Sequence, residues 1–188
     1  MAPGRLRPTL RPAERVAYGG LLAAVAAAAG FALAGVPNVE LVTFVVCVSG
    51  VLYGPGVGVV VGVVGEALFS LGNPLGPAPP MLLVGQVAGM AAAGVLGGGV
   101  GRLSFPRDRV LSAVAWGTVG VIATLIFHVA TDGTYALMAR LTWAYLLAGV
   151  PFYLVHLVSN AVLFAVAMPL VVEATRARLG PRGAGGSA

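Results

Sequence analysis

The sequence predicts an all-α integral membrane protein, a compact bundle of six transmembrane helices with both termini cytoplasmic. Three observations carry that expectation. Of 188 residues, 59% are apolar and only 9% charged, whereas a soluble domain has roughly 25% charged residues to clothe its surface. Proline and glycine cut the apolar sequence into six stretches, most of them near the 20 or so residues needed to cross the hydrocarbon of a bilayer. The basic residues, finally, are eleven arginines with no lysine, and they are distributed unevenly between the connections.

The expected elements follow in chain order. Residues 1–15 form an arginine-rich cytoplasmic tail, and residues 16–175 form the membrane domain. The first span runs from about Val16 to Gly35. Arginines precede it and Ala32-Leu33-Ala34 resembles a signal-peptide cleavage site. Its apolar run is longer than the usual signal core, however, and its loss would leave five spans, so it is expected to be retained. A short second span covers Val39 to Tyr53. The tight Gly54-Pro55-Gly56 turn leads into a third span ending near Leu71, and Gly72-Asn73-Pro74-Leu75-Gly76-Pro77-Ala78-Pro79-Pro80 has too much proline to be anything but a stiff loop. The fourth span covers Met81 to Val100 and the fifth Val110 to Thr131. The sixth runs from Trp143 to Val172, with a kink at Pro151 or a start near it. Residues 176–188 read as a disordered tail.

With the N-terminus inside, Arg5, Arg7, Arg11, Arg15, Arg102, Arg107, Arg109, Arg176, Arg178 and Arg182 are all cytoplasmic, and Arg140 alone falls outside. Ten against one is a strong positive-inside bias, and it requires an even number of spans. Small residues supply the expected packing faces, because helices in lipid associate through close backbone approach. Gly85, Gly89, Ala93, Gly97 and Gly101 recur every four residues, as do Gly54, Gly58 and Gly62, while Ala23, Ala24, Ala27 and Ala28 form overlapping pairs on the first span.

This topology sends most of the sparse polar residues to the outer end: Asn38, Glu40, Glu66, Asn73, Gln86, His128 and Asp132. An acid inside a span costs roughly 2.5–3.5 kcal/mol on insertion scales, so Glu66 needs a partner, a watery cavity or a proton. Glu66 and Gln86 suit either an interhelical hydrogen bond or a ligand contact. Glu40 reads as a solvated helix start or a ligand contact, and Asp132 as a turn residue with Gly133. Arg140 either pairs with Asp132 or holds a carboxylate or phosphate on a ligand. Trp143 and Tyr145 suit the membrane interface or a flat ligand. Tyr153, His156 and Asn160 share one helix face, with Phe164 one turn beyond; they form an interhelical latch, the floor of a pocket, or part of a metal site.

Several function classes are excluded by missing parts. The arginines lie in tails and loops, not along a recognition helix, which argues against nucleic-acid binding. Cys47 is the single cysteine and makes no intramolecular disulfide. The chain has no GxSxG elbow, no GxxxxGK[ST] loop and no HExxH motif, so neither a serine hydrolase, an ATPase nor a zinc protease is expected. No metal or other cofactor is called for.

Taken together, Pro37-Asn38-Val39-Glu40-Leu41-Val42-Thr43, the turn Tyr53-Gly54-Pro55-Gly56, and Pro151-Phe152-Tyr153-Leu154-Val155-His156 with Ser159-Asn160-Ala161 resemble the substrate-binding S component of energy-coupling factor transporters. The resemblance spans about residues 16–175. It implies a non-catalytic subunit of the inner (cytoplasmic) membrane that captures a vitamin or related micronutrient in an outer-half pocket, beside a coupling membrane subunit and two ABC ATPases that hydrolyse the ATP. Candidate ligand contacts are Glu40, Glu66, Gln86, His128, Arg140, Tyr145, Tyr153, His156 and Asn160. In that family a small-residue motif on the first helix meets the coupling subunit, and Ala23, Ala24, Ala27 and Ala28 match it best. Cobalt and nickel members carry an early N-terminal histidine that Met1-Ala2-Pro3 lacks, which argues against metal-ion uptake. No motif specific for riboflavin, thiamine, biotin or folate is present. The alternative is a structural membrane subunit without a small-molecule ligand, such as a rod-shape-determining membrane protein, which shares the Pro-Asn turn and the glycine-rich third span.

Overall fold

The computed structural model describes residues 10–106, 108–140 and 143–179, in which every regular element is a helix. The order is α1 (Pro12–Leu33), α2 (Val42–Tyr53), α3 (Pro55–Leu71), α4 (Pro80–Val100), α5 (Arg109–Ala139) and α6 (Trp143–Leu179). Four of them, α1, α4, α5 and α6, are long and apolar enough to cross a membrane. The other two are shorter: α2 has 12 residues and α3 has 17, about 18 and 26 Å at 1.5 Å per residue.

The short α2 is tolerated because protein surrounds it. It touches all five other helices, whereas α1, α3, α4, α5 and α6 contact one another only in sequence, as an open arc around it. Every helix of the arc carries exposed large apolar side chains, among them Leu21, Leu68, Val95, Leu125 and Val162, and α2 carries none. An outer apolar surface of that kind suits lipid. An enclosed α2 can end at membrane depth because its terminal backbone groups meet protein instead of hydrocarbon.

Glycine sets how closely the helices approach. Gly54, at φ 96°, ends α2 and begins α3 in a single residue, a left-handed conformation costly for any residue with a Cβ. Near this turn α2, α3 and α4 cross backbone to backbone: a Cβ on Gly58 would lie 2.6 Å from the Gly94 carbonyl oxygen, and one on Gly50 would strike the same oxygen. Gly98 meets Pro55, Gly97 meets Cys47, and Gly62 meets Met90. The expected row on α4 therefore divides between neighbours, with Gly85 and Gly89 against α5 and Gly97 against α2. Gly94 and Gly98 form a second row that serves α3.

Several boundaries differ from expectation. Helix α1 starts at Pro12, where the Glu14 carboxylate accepts from Arg11 N at 2.8 Å and from the Arg11 guanidinium at 2.7 Å. Helix α5 begins with Asp108 Oδ1 accepting from Leu111 N at 2.9 Å, and it continues eight residues past Thr131 to Ala139. Asp132 and Gly133 are thus helical and form no turn. Helix α6 runs unbroken through Pro151 and Pro169 and includes residues 176–179, the start of the expected disordered tail. The rest of that tail, and residues 1–9, lie outside the described residues. Loop 72–79 is irregular as expected, with Asn73 Oδ1 accepting from Leu75 N at 2.9 Å.

Candidate functional site

The α1–α2 and α3–α4 connections, the C-terminal end of α5 and the start of α6 share one end of the bundle. Most of the polar residues of the membrane domain are there. The described arginines other than Arg140 lie toward the opposite end: at the starts of α1 and α5, just after α4 and at the close of α6.

Glu40 organises the first group. Asn38 adopts a left-handed φ of 58°, which asparagine tolerates better than most residues. The turn brings the Glu40 carboxylate over the start of α2, where it accepts from Val42 N at 3.1 Å, from Thr43 N at 3.3 Å and from the Thr43 hydroxyl. These are donors that a helix start leaves without intrahelical partners. His156 Nε2 on α6 stands 3.2 Å from Glu40 Oε1. His156 Nδ1 is 3.1 Å from His128 Nε2 on α5, and His128 Nδ1 is 3.0 Å from Asp132 Oδ2 one turn along. Four side chains therefore form one unbroken chain, carboxylate to imidazole to imidazole to carboxylate. Phe127 sits edge-on to both imidazoles, and the Tyr153 ring lies 4.5 Å from that of His128. Glu40 lies in the connection before α2. Burial pushes its carboxyl up, but the hydrogen bonds from His156 and Thr43 and the charge His156 can carry outweigh this and hold it below the ordinary value.

The second group joins α3 to α4. Glu66 is 1% exposed, and its Oε1 accepts from the Ser70 hydroxyl at 2.7 Å. The Gln86 amide lies 3.1 Å from Ser70 Oγ. The atom facing it is the amide oxygen Oε1; a hydroxyl has one hydrogen, so Ser70 donates to Glu66 or to Gln86 at any one time. Met90, one turn from Gln86, touches Thr43 Oγ1 at 3.7 Å and thereby brings the two groups together.

The third group lies one turn deeper on the two helices that bear the histidines. Asn160 Nδ2 donates to Thr124 Oγ1 at 2.8 Å, and Thr124 donates to Gly120 O at 2.9 Å. Asn160 is four residues from His156 and Thr124 four from His128, so the pairs stack as rungs across the α5–α6 interface. Asn160 Oδ1 and Thr131 Oγ1 are buried without a hydrogen-bond partner.

Of the expected ligand residues, Glu40, His128 and His156 are in direct contact, and Tyr153 is beside them. Glu66 and Gln86 join through Ser70, with Asn160 below. Arg140 is separate: it is the exposed, left-handed C-cap of α5, and Asp132 bonds His128 instead of Arg140. Eight residues of continued helix carry Arg140 about 12 Å along the axis from Asp132, beyond reach of an ion pair. The side chain of Tyr145 lies outside the described residues, and Trp143 is exposed at the start of α6.

Among the docking candidates, Ala23 and Ala27 are corrected to interior packing positions. They are 1% and 4% exposed, with the Ala23 backbone against Gly65 of α3. Ala24 and Ala28 are exposed.

Thr43, Ser70 and Thr124 are further members, as is Ser159, whose hydroxyl donates to Asn38 O at 3.2 Å. The signal was local, since Thr43 follows Glu40 by three residues, Ser70 follows Glu66 by four, and Thr124 precedes His128 by four. Among the described residues no three His, Cys, Asp or Glu side chains converge as metal ligands, and the histidine nitrogens already face one another and their carboxylates. An apolar groove of about 480 Å³ lies along α3, lined by Val63, Val64, Ala67, Leu68, Leu71 and Gly72, and involves none of these polar groups.

Comparison with family models, with curated proteins and with solved structures finds no match to this chain.

Proposed function

We propose that the chain is the substrate-capture (S) subunit of an energy-coupling factor importer, taking a vitamin or related micronutrient at the polar end of the bundle. The observation that carries this reading is the gathering of hydrogen-bonding side chains from the α1–α2 connection and from α3, α4, α5 and α6 at one end. Within it two buried polar atoms, Asn160 Oδ1 and Thr131 Oγ1, lack partners. Buried polar groups are nearly always paired, and an orphan calls for a water or a ligand. In this reading the arginine-rich end faces the cytoplasm, the polar end faces outward, and capture exchanges some of the internal hydrogen bonds for bonds to the solute. Glu40, Glu66, Gln86, His128, Tyr153, His156 and Asn160 remain the proposed contacts. The chain itself does no chemistry; a coupling membrane subunit and two ATPases supply the work. Ala24 and Ala28, on the outer face of α1, are the residues available to meet the coupling subunit.

A structural membrane subunit is the second reading. It is favoured by the degree to which Glu40, His156, His128 and Asp132 satisfy one another, as a latch between helices would.

The test is affinity capture of the tagged protein from its native host in mild detergent, beside an Ala24→Leu, Ala28→Leu variant, with proteins and small molecules read by mass spectrometry. The importer reading expects a coupling subunit and ATPases with the unmodified chain and their loss from the variant. Cell-shape partners, with neither ATPases nor a small molecule, would establish the structural reading.

A further inference from the structure

We infer that Asp132, His128, His156 and Glu40 form a proton relay, a site that holds one mobile proton and passes it between the carboxylate on α5 and the carboxylate that caps α2. The inference holds whether the bundle captures a solute or only scaffolds partners, because it rests on the hydrogen-bond geometry alone.

The three links, at 3.0, 3.1 and 3.2 Å, are all hydrogen-bond distances, and each needs one hydrogen between its two heavy atoms. Neutral imidazole has one N–H and one lone pair, and an ionised carboxylate only accepts. Two neutral rings and two carboxylates therefore bring two hydrogens to three links. One link would then set two lone pairs against each other, in surroundings where His156 is 3% exposed and such a mismatch is costly. A third proton completes the chain, which then bears two negative carboxyl positions, one added proton and a net charge of −1. A fourth finds no link left to fill.

The third proton has no fixed place. In one arrangement it is on Asp132, which donates to His128 Nδ1; His128 Nε2–H donates to His156 Nδ1, and His156 Nε2–H donates to the Glu40 carboxylate. Transfer moves each proton by one link. Glu40 Oε1 takes the proton from His156 Nε2, His156 Nδ1 takes one from His128 Nε2, and His128 Nδ1 takes one from Asp132. Three O–H or N–H bonds break and three form, the rings end neutral with exchanged tautomers, and the negative charge has passed from Glu40 to Asp132. Intermediate arrangements place a positive charge on one imidazole between two negative carboxylates.

The relay touches the surface at both ends and is shut off at His156: the side chains of Glu40, His128 and Asp132 are 16%, 15% and 17% exposed, and that of His156 is 4% exposed. The charged groups around the relay are few. Within it are Glu40 on the α1–α2 connection, His128 and Asp132 on α5, and His156 on α6. Beside it are Glu66 on α3, bonded to Ser70, and Tyr153 on α6, against the His128 ring. Helices α2 and α4 contribute Thr43, Cys47, Met90 and Gln86. Among the described residues no arginine pairs with any of these groups, so no cation holds the charge at either end, and the donors of Val42 and Thr43 bias the negative charge toward Glu40. The proton's position also has a structural consequence. A negative Glu40 is a strong acceptor for Val42 N, Thr43 N and the Thr43 hydroxyl, and a protonated Glu40 is a weak one. Moving the proton therefore loosens or tightens the α1–α2 connection over the end of the bundle.

The test uses the full chain with ¹⁵N-labelled histidine in lipid nanodiscs, followed by NMR through a pH series, with Asp132→Asn beside the wild type. The relay predicts scalar coupling between His128 Nε2 and His156 Nδ1 across their shared hydrogen, with both rings changing in one common pH step. It also predicts that Asp132→Asn displaces the step of both rings, although residue 132 touches only His128. A displacement confined to His128, or absence of inter-ring coupling in the wild type, would overturn the relay. The asparagine is isosteric at a partly exposed position, and the wild-type coupling is decisive even if that variant fails to fold.

Discussion

The two ends of the bundle are built on opposite principles. Around Gly50, Gly58, Gly94 and Gly98 the helices meet backbone to backbone, with no room for a methyl group and no alternative arrangement. At the other end, apart from the close approach of Gly85 to the Thr131 backbone, they meet through polar side chains whose hydrogen bonds are linked in series, with two buried polar atoms left over among the described residues. Packing of the first kind is stable in one geometry only. A hydrogen-bonded network of the second kind has several arrangements close in energy, differing in proton position, amide orientation or a bound molecule. A membrane protein whose polar end must change state benefits from a rigid anchor at the other end, and the division falls within single helices, since α2, α3 and α4 each carry both kinds of contact.

The most damaging change should be at the rigid end. Gly94→Val would drive a side chain into the Gly58 backbone, which cannot give way as a side chain can. We expect a loss of about 3 kcal/mol or more in reversible unfolding from mixed micelles, against less than about 0.5 kcal/mol for Gly99→Val, whose Cβ would meet nothing within 4 Å. Equal effects at the two positions would dissolve the contrast.

Next comes His156→Ala, which takes one of its partners from the buried end of the Glu40 carboxylate and leaves His128 Nε2 with none; the same assay should show a loss of about 2–3 kcal/mol. Glu40→Gln sharpens the point through pH. Because the Glu40 carboxyl is held below its ordinary value, the stability it contributes is present above the pH where an unfolded glutamate titrates, roughly 4.3. It is lost as pH falls through the folded value. The Glu40→Gln variant should lose that part of the acid sensitivity, and an unchanged stability profile between about pH 3 and 6 would contradict the assignment.

The smallest effect on stability is expected at the deepest polar residue. Asn160→Leu forfeits the bond to Thr124 but also removes the unpartnered Oδ1, so the two terms offset and stability should move by less than about 1 kcal/mol. Capture, in contrast, should weaken tenfold or more, about 1.4 kcal/mol. A large stability loss with capture unchanged would make Asn160 a structural latch.

Much of this division was legible in the sequence, and the misses are instructive. Proline and glycine marked most of the helix boundaries, and the four-residue row from Gly85 to Gly97 marked α4 as a close-packing helix. The second row, Gly94 and Gly98, lies one residue out of phase and acquires meaning only when α4 is known to serve two neighbours at once. Asp132-Gly133 has the local preference of a turn, but packing of α5 against α4 and α6 overrides a modest propensity. Because the helix continues, the Asp132–Arg140 pair, one of the two readings open for Arg140, does not form, and Asp132 bonds His128. The link between Glu40 and His156 joins positions 116 residues apart. No local pattern encodes it, because it depends on α2 occupying the centre of the arc, and a twelve-residue apolar run gives no sign of that.

The most direct test of the central claim, that the polar end is a capture site, is mass spectrometry of the small molecules retained by the purified chain from host extract. Wild type should be compared with a combined Glu66→Ala, Gln86→Ala, His156→Ala variant and with Asn160→Leu. The account predicts a compound that accompanies the wild type in stoichiometric amount, is absent from the triple variant, and falls at least tenfold with Asn160→Leu. A compound retained equally by all three proteins, or none retained by a folded wild type, would contradict it.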